Sequence, residues 1–354
     1  MAGVISIVER IVALTARAFW IVAGVVLAVI LMIEINDRAV IIEEISVPAE
    51  LADRGYTPSV VAHQLLEEWR VIDETALTTR RRREIGLGSG RVDLAVPGFN
   101  LSLNTIVDYL KNLIGAPRER VRGGIVAIQS QAPECAEGCY TMFLSLEGRS
   151  VRRLSLTAPA TLGVEEIIRR SSRAMMEELD PYLLANFYYS ADPAREPARE
   201  SEMLRLIDVV LAEPPARDDP WALTLLGVYH NRNQRWAEAL THLDRALQLD
   251  RTLAPALNSR CWAKGHLPGR AEEAIADCRE ALRLNPDSYQ TMDSLAYALE
   301  QTGDRARAFR VILCARRISE GDPDIETTYA RLRTALPNAD ATPPDEAACA
   351  ALMT

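Results

Sequence analysis

The sequence has very little lysine and lacks the common catalytic signatures. Of its 40 basic residues only Lys111 and Lys264 are lysine. No G-x-S-x-G, H-E-x-x-H or Walker motif occurs, and the 4 histidines belong to no Cys/His cluster, so hydrolase, zinc and P-loop sites are not indicated. The net charge of −9 is opposite to what phosphate neutralisation requires. We therefore expect no metal, no cofactor and no nucleic-acid partner.

Acidic residues are frequent, but their arrangement does not indicate catalysis. They often occur as adjacent pairs, at 43–44, 67–68, 177–178 and 218–219. Neighbouring side chains on a helix point apart and cannot share one substrate. We therefore expect that the protein is not an enzyme. A catalytic site that is assembled only by folding stays open as an alternative.

One apolar run is long enough to cross a bilayer. Between residues 11 and 33 the only polar side chains are Thr15 and Arg17, and a helix of this length rises about 35 Å against a hydrocarbon core of about 30 Å. No small-residue cleavage site closes the run, which argues against a removed signal peptide. The sequence predicts a single-pass anchor at 11–33 after a short cytoplasmic tail at 1–10.

The charges that flank the anchor do not set its orientation, because two arginines lie on each side. A very short N-terminal tail usually stays inside, so we expect residues 34–354 on the periplasmic side of a bacterial inner membrane. Cys135 and Cys139 flank a short loop and could form a disulfide in that compartment. The alternative is a pair of unbridged loop thiols.

Residues 34–56 are predicted to form a juxtamembrane linker, and residues 57–180 a small α+β domain. The patterns run helix, strand, helix, three strands, helix, which is the order expected for helices on one face of a small antiparallel sheet. The three consecutive strand patterns cover 120–129, 140–146 and 150–156. Residues 34–180 resemble no family that we recognise.

Two short motifs in this domain have simple explanations. Four arginines (Arg80, Arg81, Arg82 and Arg83) follow the helical pattern that begins with Thr57 and Pro58, and cations stabilise a helix C-terminus. The alternative is a basic patch that contacts anionic lipid headgroups or an acidic partner. Residues 85–91 (IGLGSGR) lack the Gly-Lys-Ser/Thr ending of a P-loop and are predicted to be a flexible linker.

The last third of the chain repeats itself. Alanines recur at spacings of 35 and 34 residues in two sets, Ala239, Ala274 and Ala308, and Ala246, Ala281 and Ala315. Each pair lies in a helical pattern that follows another helical pattern, and small residues at fixed positions let two helices cross closely. Residues 220–322 resemble the tetratricopeptide-repeat (TPR) family, which implies three stacked helical hairpins.

The segments around these repeats complete the predicted architecture. Residues 181–219 are interpreted as a degenerate leading repeat, residues 323–336 as a capping helix and residues 337–354 as a flexible tail. The fold class is mainly α, with an N-terminal transmembrane helix, a small α+β domain and a C-terminal α-solenoid.

The resemblance to the TPR family implies a concave groove that is lined by the first helix of each hairpin. Aromatic residues among amides and mixed charges suit an extended or helical peptide, although packing within the solenoid is an equal alternative for the aromatic side chains. The resemblance also places Cys261 and Cys278 on facing helices, where we expect packed thiols rather than a bond. The implied groove residues are Thr224, Val228, Asn231, Arg232, Asn258, Trp262, His266, Gln290, Asp293, Tyr297 and Glu300.

These features together predict a membrane-tethered TPR adaptor that binds a protein or peptide partner. Thr224 and Val228 stand where a carboxylate-clamp groove has lysine and asparagine, so recognition of an acidic C-terminus is not expected. Two alternatives stay open. One is an envelope enzyme or enzyme subunit with its site in the α+β domain, and the other is a sensor or regulatory subunit that faces the cytoplasm.

Overall fold

The computed structural model describes residue 32 and residues 39–80, 83–88, 103–115, 117–128, 135–148, 150–191, 196–212 and 218–353. The predicted tail at 1–10 and anchor at 11–33 lie outside these residues, apart from Met32. Within the described ranges no helix is both long and apolar enough to cross a bilayer. The chain divides into two compact units between Asp180 and Pro181.

The first unit contains a mixed five-stranded sheet. Its strands are β1 (Val40–Ser46), β2 (Ile85–Leu87), β3 (Glu119–Ile128), β4 (Cys139–Glu147) and β5 (Val151–Pro159), in the order β2-β1-β3-β4-β5. Strands β3, β4 and β5 are antiparallel, whereas β1 runs parallel to both β2 and β3. The prediction of an antiparallel sheet is therefore wrong for its β1 side.

Two segments that were predicted to be linkers are strands. The predicted linker at 34–56 contains β1, in which Val40 and Ile45 are fully buried, as expected for a strand inside a partly parallel sheet. The predicted flexible segment at 85–91 begins with β2, which pairs with β1 from Val40↔Ile85 onwards. The domain therefore begins before residue 57.

Helices cover one face of this sheet. The helices of the unit are α1 (Ala49–Ala52), α2 (Pro58–Thr75), α3 (Leu103–Leu113) and α4 (Val164–Leu179). Helix α2 starts as predicted, since the Thr57 hydroxyl accepts from the Val60 amide at 3.3 Å. Helices α2 and α4 pack on each other, α2 on β1 and α4 on β4 and β5. The core lies between these helices and side chains such as Met142 and Leu144, which are at most 1% exposed.

Two arginines of the run, Arg80 and Arg83, have contacts that differ from both predictions. Helix α2 ends at Thr75, so the arginines do not close it. Arg80 forms an ion pair with Asp180, and Arg83 donates to the Leu179 carbonyl at 2.8 Å and to a Glu119 carboxylate. These cations therefore stabilise the C-terminal end of α4 and are engaged within the unit. Residues 81 and 82 lie outside the described residues.

The regular secondary structure among the described residues of the second unit is entirely helical. Three hairpins (α7–α8, α9–α10 and α11–α12) follow the packed pair α5–α6, and the first helix of each hairpin also packs on the first helix of the next. The bounds are α5 Pro181–Ser190, α6 Pro197–Leu211, α7 Asp219–Arg232, α8 Trp236–Leu249, α9 Ala254–Gly265, α10 Ala271–Leu284, α11 Tyr289–Gln301, α12 Arg305–Ile318, α13 Pro323–Ala335 and α14 Glu346–Met353.

The C-terminal segment was predicted to be a flexible tail, but it contains a docked helix. Helix α14 packs on α12, Cys349 forms a disulfide with Cys314, and Arg307 donates to the Leu352 carbonyl at 2.9 Å. Its sequence, EAACAALM, is almost entirely apolar, so docking removes apolar surface from water. The prediction of a flexible end at 337–354 is wrong for this part.

All six cysteines are paired in the structure. Cys135 bonds to Cys139 and Cys261 to Cys278, in addition to the C-terminal bridge. The expectation that Cys261 and Cys278 pack as thiols is therefore wrong. Their spacing of 17 residues spans the turn between α9 and α10, so the bond closes one hairpin on itself.

His230 on α7 and His242 on α8 stack face to face, with ring centroids 5.1 Å apart. Burial lowers the pKa of both imidazoles, and for His230 the charges of His242 and Arg235 lower it further. The folded state therefore favours the neutral rings. Because the unfolded chain binds protons first as the pH falls below about 6.5, the stability that this pair contributes is present above that pH and is lost below it.

We expect the variant His242→Phe to lose stability less steeply between about pH 7 and pH 5. Phenylalanine keeps an aromatic ring against His230 but removes one titrating group. Denaturant unfolding of the full-length chain, followed at several pH values, measures the slope. At about pH 8, where both histidines are neutral, the variant serves as its own control. If the free energy of unfolding depended on pH as steeply in the variant as in the original protein, the histidine pair would not be the source of this dependence.

Candidate functional site

The implied groove residues lie together on the first helices of the hairpins. Ten of the eleven are on α7, α9 and α11, and His266 directly follows α9. Because each of these helices packs on the next, their side chains form one continuous surface. We call the surface formed by these eleven residues the first-helix face.

Two of the eleven residues, Thr224 and Asn231, are buried and already form hydrogen bonds within the solenoid. The buried Thr224 hydroxyl donates to the Pro220 carbonyl at 2.7 Å. The buried Asn231 amide donates to the Ser259 carbonyl of α9 at 2.8 Å, which joins the first hairpin to the second. These side chains build the face, whereas Gln290 at its other end is exposed.

An aromatic cluster occupies the middle of the first-helix face. The His266 ring is stacked between Trp236 at 4.2 Å and Tyr297 at 4.3 Å, and Trp262 lies 5.1 Å from Tyr297. His266 Nδ1 is also 2.9 Å from the Trp262 carbonyl oxygen. The cluster therefore joins all three hairpins through ring contacts.

The aromatic cluster is packed and still accessible. All four rings are half-buried, so contacts within the solenoid and contacts with a partner are compatible. Trp236 was missed from the sequence because it begins a second helix, whereas only first-helix positions were considered. Trp236 directly follows the turn between α7 and α8, and this position is the sequence signal that could have identified it as a site residue.

Two polar side chains beside the cluster have unused acceptors. Asn258 is one turn before Trp262, and Asp293 one turn before Tyr297. The Oδ1 atom of each is buried, and no donor in the described part of the chain reaches it. Burial raises the pKa of the Asp293 carboxyl, although a hydrogen bond from Thr328 and the charge of Arg331 oppose this. The site therefore lacks donors for these two oxygens.

The end of the face near Asp293 is acidic. Glu300 forms an ion pair with Arg331, and the carboxylates of Asp322 and Asp324 raise the pKa of Asp293. Burial and Glu300 raise the pKa of the Tyr297 hydroxyl, while Arg331 lowers it. The charges around the aromatic cluster are therefore mainly negative on this side.

Arg232 and Val228 lie apart from the acidic end. The Arg232 guanidinium is 5.4 Å from the Tyr189 ring centroid, beside a small cavity. The Tyr229 hydroxyl in this cavity binds Glu200 and accepts from Arg235 at 3.0 Å. The first-helix face therefore has an arginine-tyrosine end and an acidic end. The cavity is lined by Tyr188, Tyr189, Glu200, Met203, Tyr229, Arg232 and Asn233.

The first unit has a cavity of its own at the ends of β3 and β4. Its charged side chains are already paired. Arg120 binds Glu43 and Asp108, and Arg152 binds Glu178 at 2.8 Å. Over the described residues no three His, Cys, Asp or Glu side chains are grouped as ligands for a metal ion.

Comparison with known proteins adds little to this geometry. No protein-family model and no curated protein matches the chain. Among solved structures, the chain is similar to one named "MamA MSR-1 C2", at 18% identity over 47% of this chain and 95% of that chain, with a TM-score of 0.27. A likeness of this size carries no argument about function. The resemblance to TPR proteins therefore depends on the repeat spacing and on the stacked hairpins.

Proposed function

We propose that the protein is an adaptor that binds a peptide segment of a partner protein on its first-helix face. The observation that carries the proposal is the half-buried aromatic cluster, which lies beside two buried acceptors that no donor among the described residues reaches. Aromatic side chains at the centre of a surface dominate binding energies, and buried acceptors gain most from a donor that a ligand supplies. The protein acts by binding, without a catalytic step.

The adaptor is, in this proposal, anchored in a bacterial inner membrane by residues 11–33, with both units on the periplasmic side. The apolar run supports the anchor. The pairing of all six cysteines supports an oxidising compartment, because disulfides persist there and are rare in the cytosol. A tether raises the effective concentration of the binding face at the membrane.

A photoreactive amino acid at Gln290 tests the binding face in intact cells. We expect it to form a defined crosslinked species, because this side chain is exposed on α11. The same probe at Ala276, exposed on the second helix α10, is the matched control and should form none. Equal crosslinking from both positions, or none from Gln290, would contradict the proposal.

Trp262→Ala in the same experiment should reduce the Gln290 crosslink strongly, since truncation of a central aromatic residue costs about 2 kcal/mol or more of binding energy. Trp262→Phe retains a ring and should retain more of the crosslink. The mobility of the oxidised chain on a non-reducing gel shows that each variant is folded with its disulfides.

A further inference from the structure

We infer that the first-helix face selects a basic side chain, arginine or lysine, of the bound segment and holds it against Trp262, Tyr297 and the Asp293 carboxylate. This inference rests on the proposed function and narrows it to one class of ligand.

The geometry places two equivalent pairs of residues side by side. Asn258 and Trp262 are four residues apart on α9, as are Asp293 and Tyr297 on α11, so each pair lies on one face of its helix. The second pair follows the first by 35 residues, the repeat spacing. The two helices pack together, and the Trp262 and Tyr297 rings are 5.1 Å apart. The pairs therefore form a compact group of two aromatic rings and two polar side chains.

The polar half of the group can only be completed by donors. Asn258 Oδ1 and Asp293 Oδ1 are buried acceptors, and no donor from the described residues reaches either of them. An ammonium group offers three donors and a guanidinium five, whereas a carboxylate offers none. Aromatic rings attract the same cations through their faces. A basic side chain can thus donate hydrogen bonds to the two acceptors and contact the aromatic rings with its positive charge.

The surrounding charge favours the same ligand. Asp293 is influenced by the carboxylates of Asp322 and Asp324 and by the guanidinium of Arg331, and that guanidinium is paired with Glu300. These groups are four carboxylates and one cation, and the neighbouring His266 is stacked inside the aromatic cluster. A basic segment is attracted to this end of the face, and an acidic segment is repelled.

Binding of capped peptide pools to the full-length protein in detergent tests the inference. The pools are identical degenerate sequences except for one fixed residue, which is arginine, lysine, glutamine or glutamate. We expect the arginine and lysine pools to bind at least about tenfold more tightly than the glutamine pool, as a hydrogen bond to a charged group allows, and the glutamate pool to bind most weakly. Added salt should reduce the preference.

Asp293→Asn should remove most of the preference for basic over glutamine pools, because the side chain keeps its shape and loses its charge. Glu272→Gln removes the same charge from an exposed position on α10 and should leave the preference intact. A preference for glutamate, or an unchanged preference in Asp293→Asn, would overturn the inference. If no pool binds and Trp262→Ala leaves the Gln290 crosslink unchanged, the proposed function itself fails.

Discussion

Replacing Asp277 with alanine should lower the free energy of unfolding of the second unit by about 3–5 kcal/mol, the usual cost of leaving a buried charge without its partner. Asp277 is 7% exposed and accepts from Arg260 Nε at 2.9 Å and Nη2 at 2.7 Å. It also lies 2.8 Å from Nζ of Lys264, which is 8% exposed. One buried carboxylate is therefore shared by two cations between α9 and α10, whose other partners, Asp244 for Arg260 and Glu273 for Lys264, are exposed.

Asp244 provides the matched control for this prediction. Its carboxylate also contacts Arg260, at 2.9 Å, but its side chain is 54% exposed. We expect Asp244→Ala to cost less than about 1 kcal/mol, as exposed ion pairs do. Urea unfolding of the full-length chain, with helical circular dichroism as the signal, measures both variants. If both variants lost the same free energy of unfolding, burial would not determine how much each ion pair contributes to stability.

The repeats were predictable because their signal is local and periodic. The recurring alanines at 239, 274 and 308 are fully buried, as expected where two helices cross closely. Gly227, on α7, lies so near the second helix of its hairpin that an added Cβ would be 2.4 Å from Leu243 Cγ. Small residues recur at these positions because the two helices of each hairpin cross at a short distance, and the sequence repeats with the hairpins.

The sheet was predicted less well because the strands that pair in parallel are far apart in the sequence. Strand β3 lies between β4, its neighbour in sequence, and β1, which pairs through Val40↔Glu119. A local pattern cannot reveal a parallel partner 79 residues away. The docked C-terminal helix illustrates the same limit, because Cys349 bonds to Cys314, which lies 35 residues earlier in the sequence.

The position of the candidate site was predictable from the sequence, but the hydrogen bonds of its polar side chains were not. The repeat spacing places Trp262 and Tyr297 on equivalent turns, and the structure brings their rings together. The Asn231 amide donates to the Ser259 carbonyl, whereas the Asn258 oxygen has no donor among the described residues. This difference depends on distances between helices. Sequence spacing therefore finds candidate positions, and the structure decides which of them are free to bind.

Gly123→Ala should destabilise the first unit by about 3 kcal/mol or more, at the upper end of overpacking effects. Gly123 lies in β3, opposite Leu144 of β4. A Cβ atom there would be 2.0 Å from the Phe143 carbonyl oxygen and 2.9 Å from a Leu144 methyl group. The oxygen belongs to the backbone and cannot rotate away, so the two strands must separate locally.

Gly86→Ala in β2 is the control, since no atom lies within 4 Å of the added Cβ. It should leave stability unchanged or raise it by about 0.4–1 kcal/mol, because alanine restricts the unfolded chain. Hydrogen exchange measured by mass spectrometry on the full-length chain distinguishes the variants. Faster exchange of β3 and β4 is expected in Gly123→Ala only.

The same measurement compares the two units. If they unfold separately, Gly123→Ala accelerates exchange in β3, β4 and β5 and leaves α9 and α10 protected, whereas Asp277→Ala does the reverse, because exchange follows the local free energy of opening. Accelerated exchange of both units in either variant would show that they unfold together. Separate behaviour would mean that changes in the sheet leave the first-helix face intact, so that binding defects could be assigned to the residues that contact the partner.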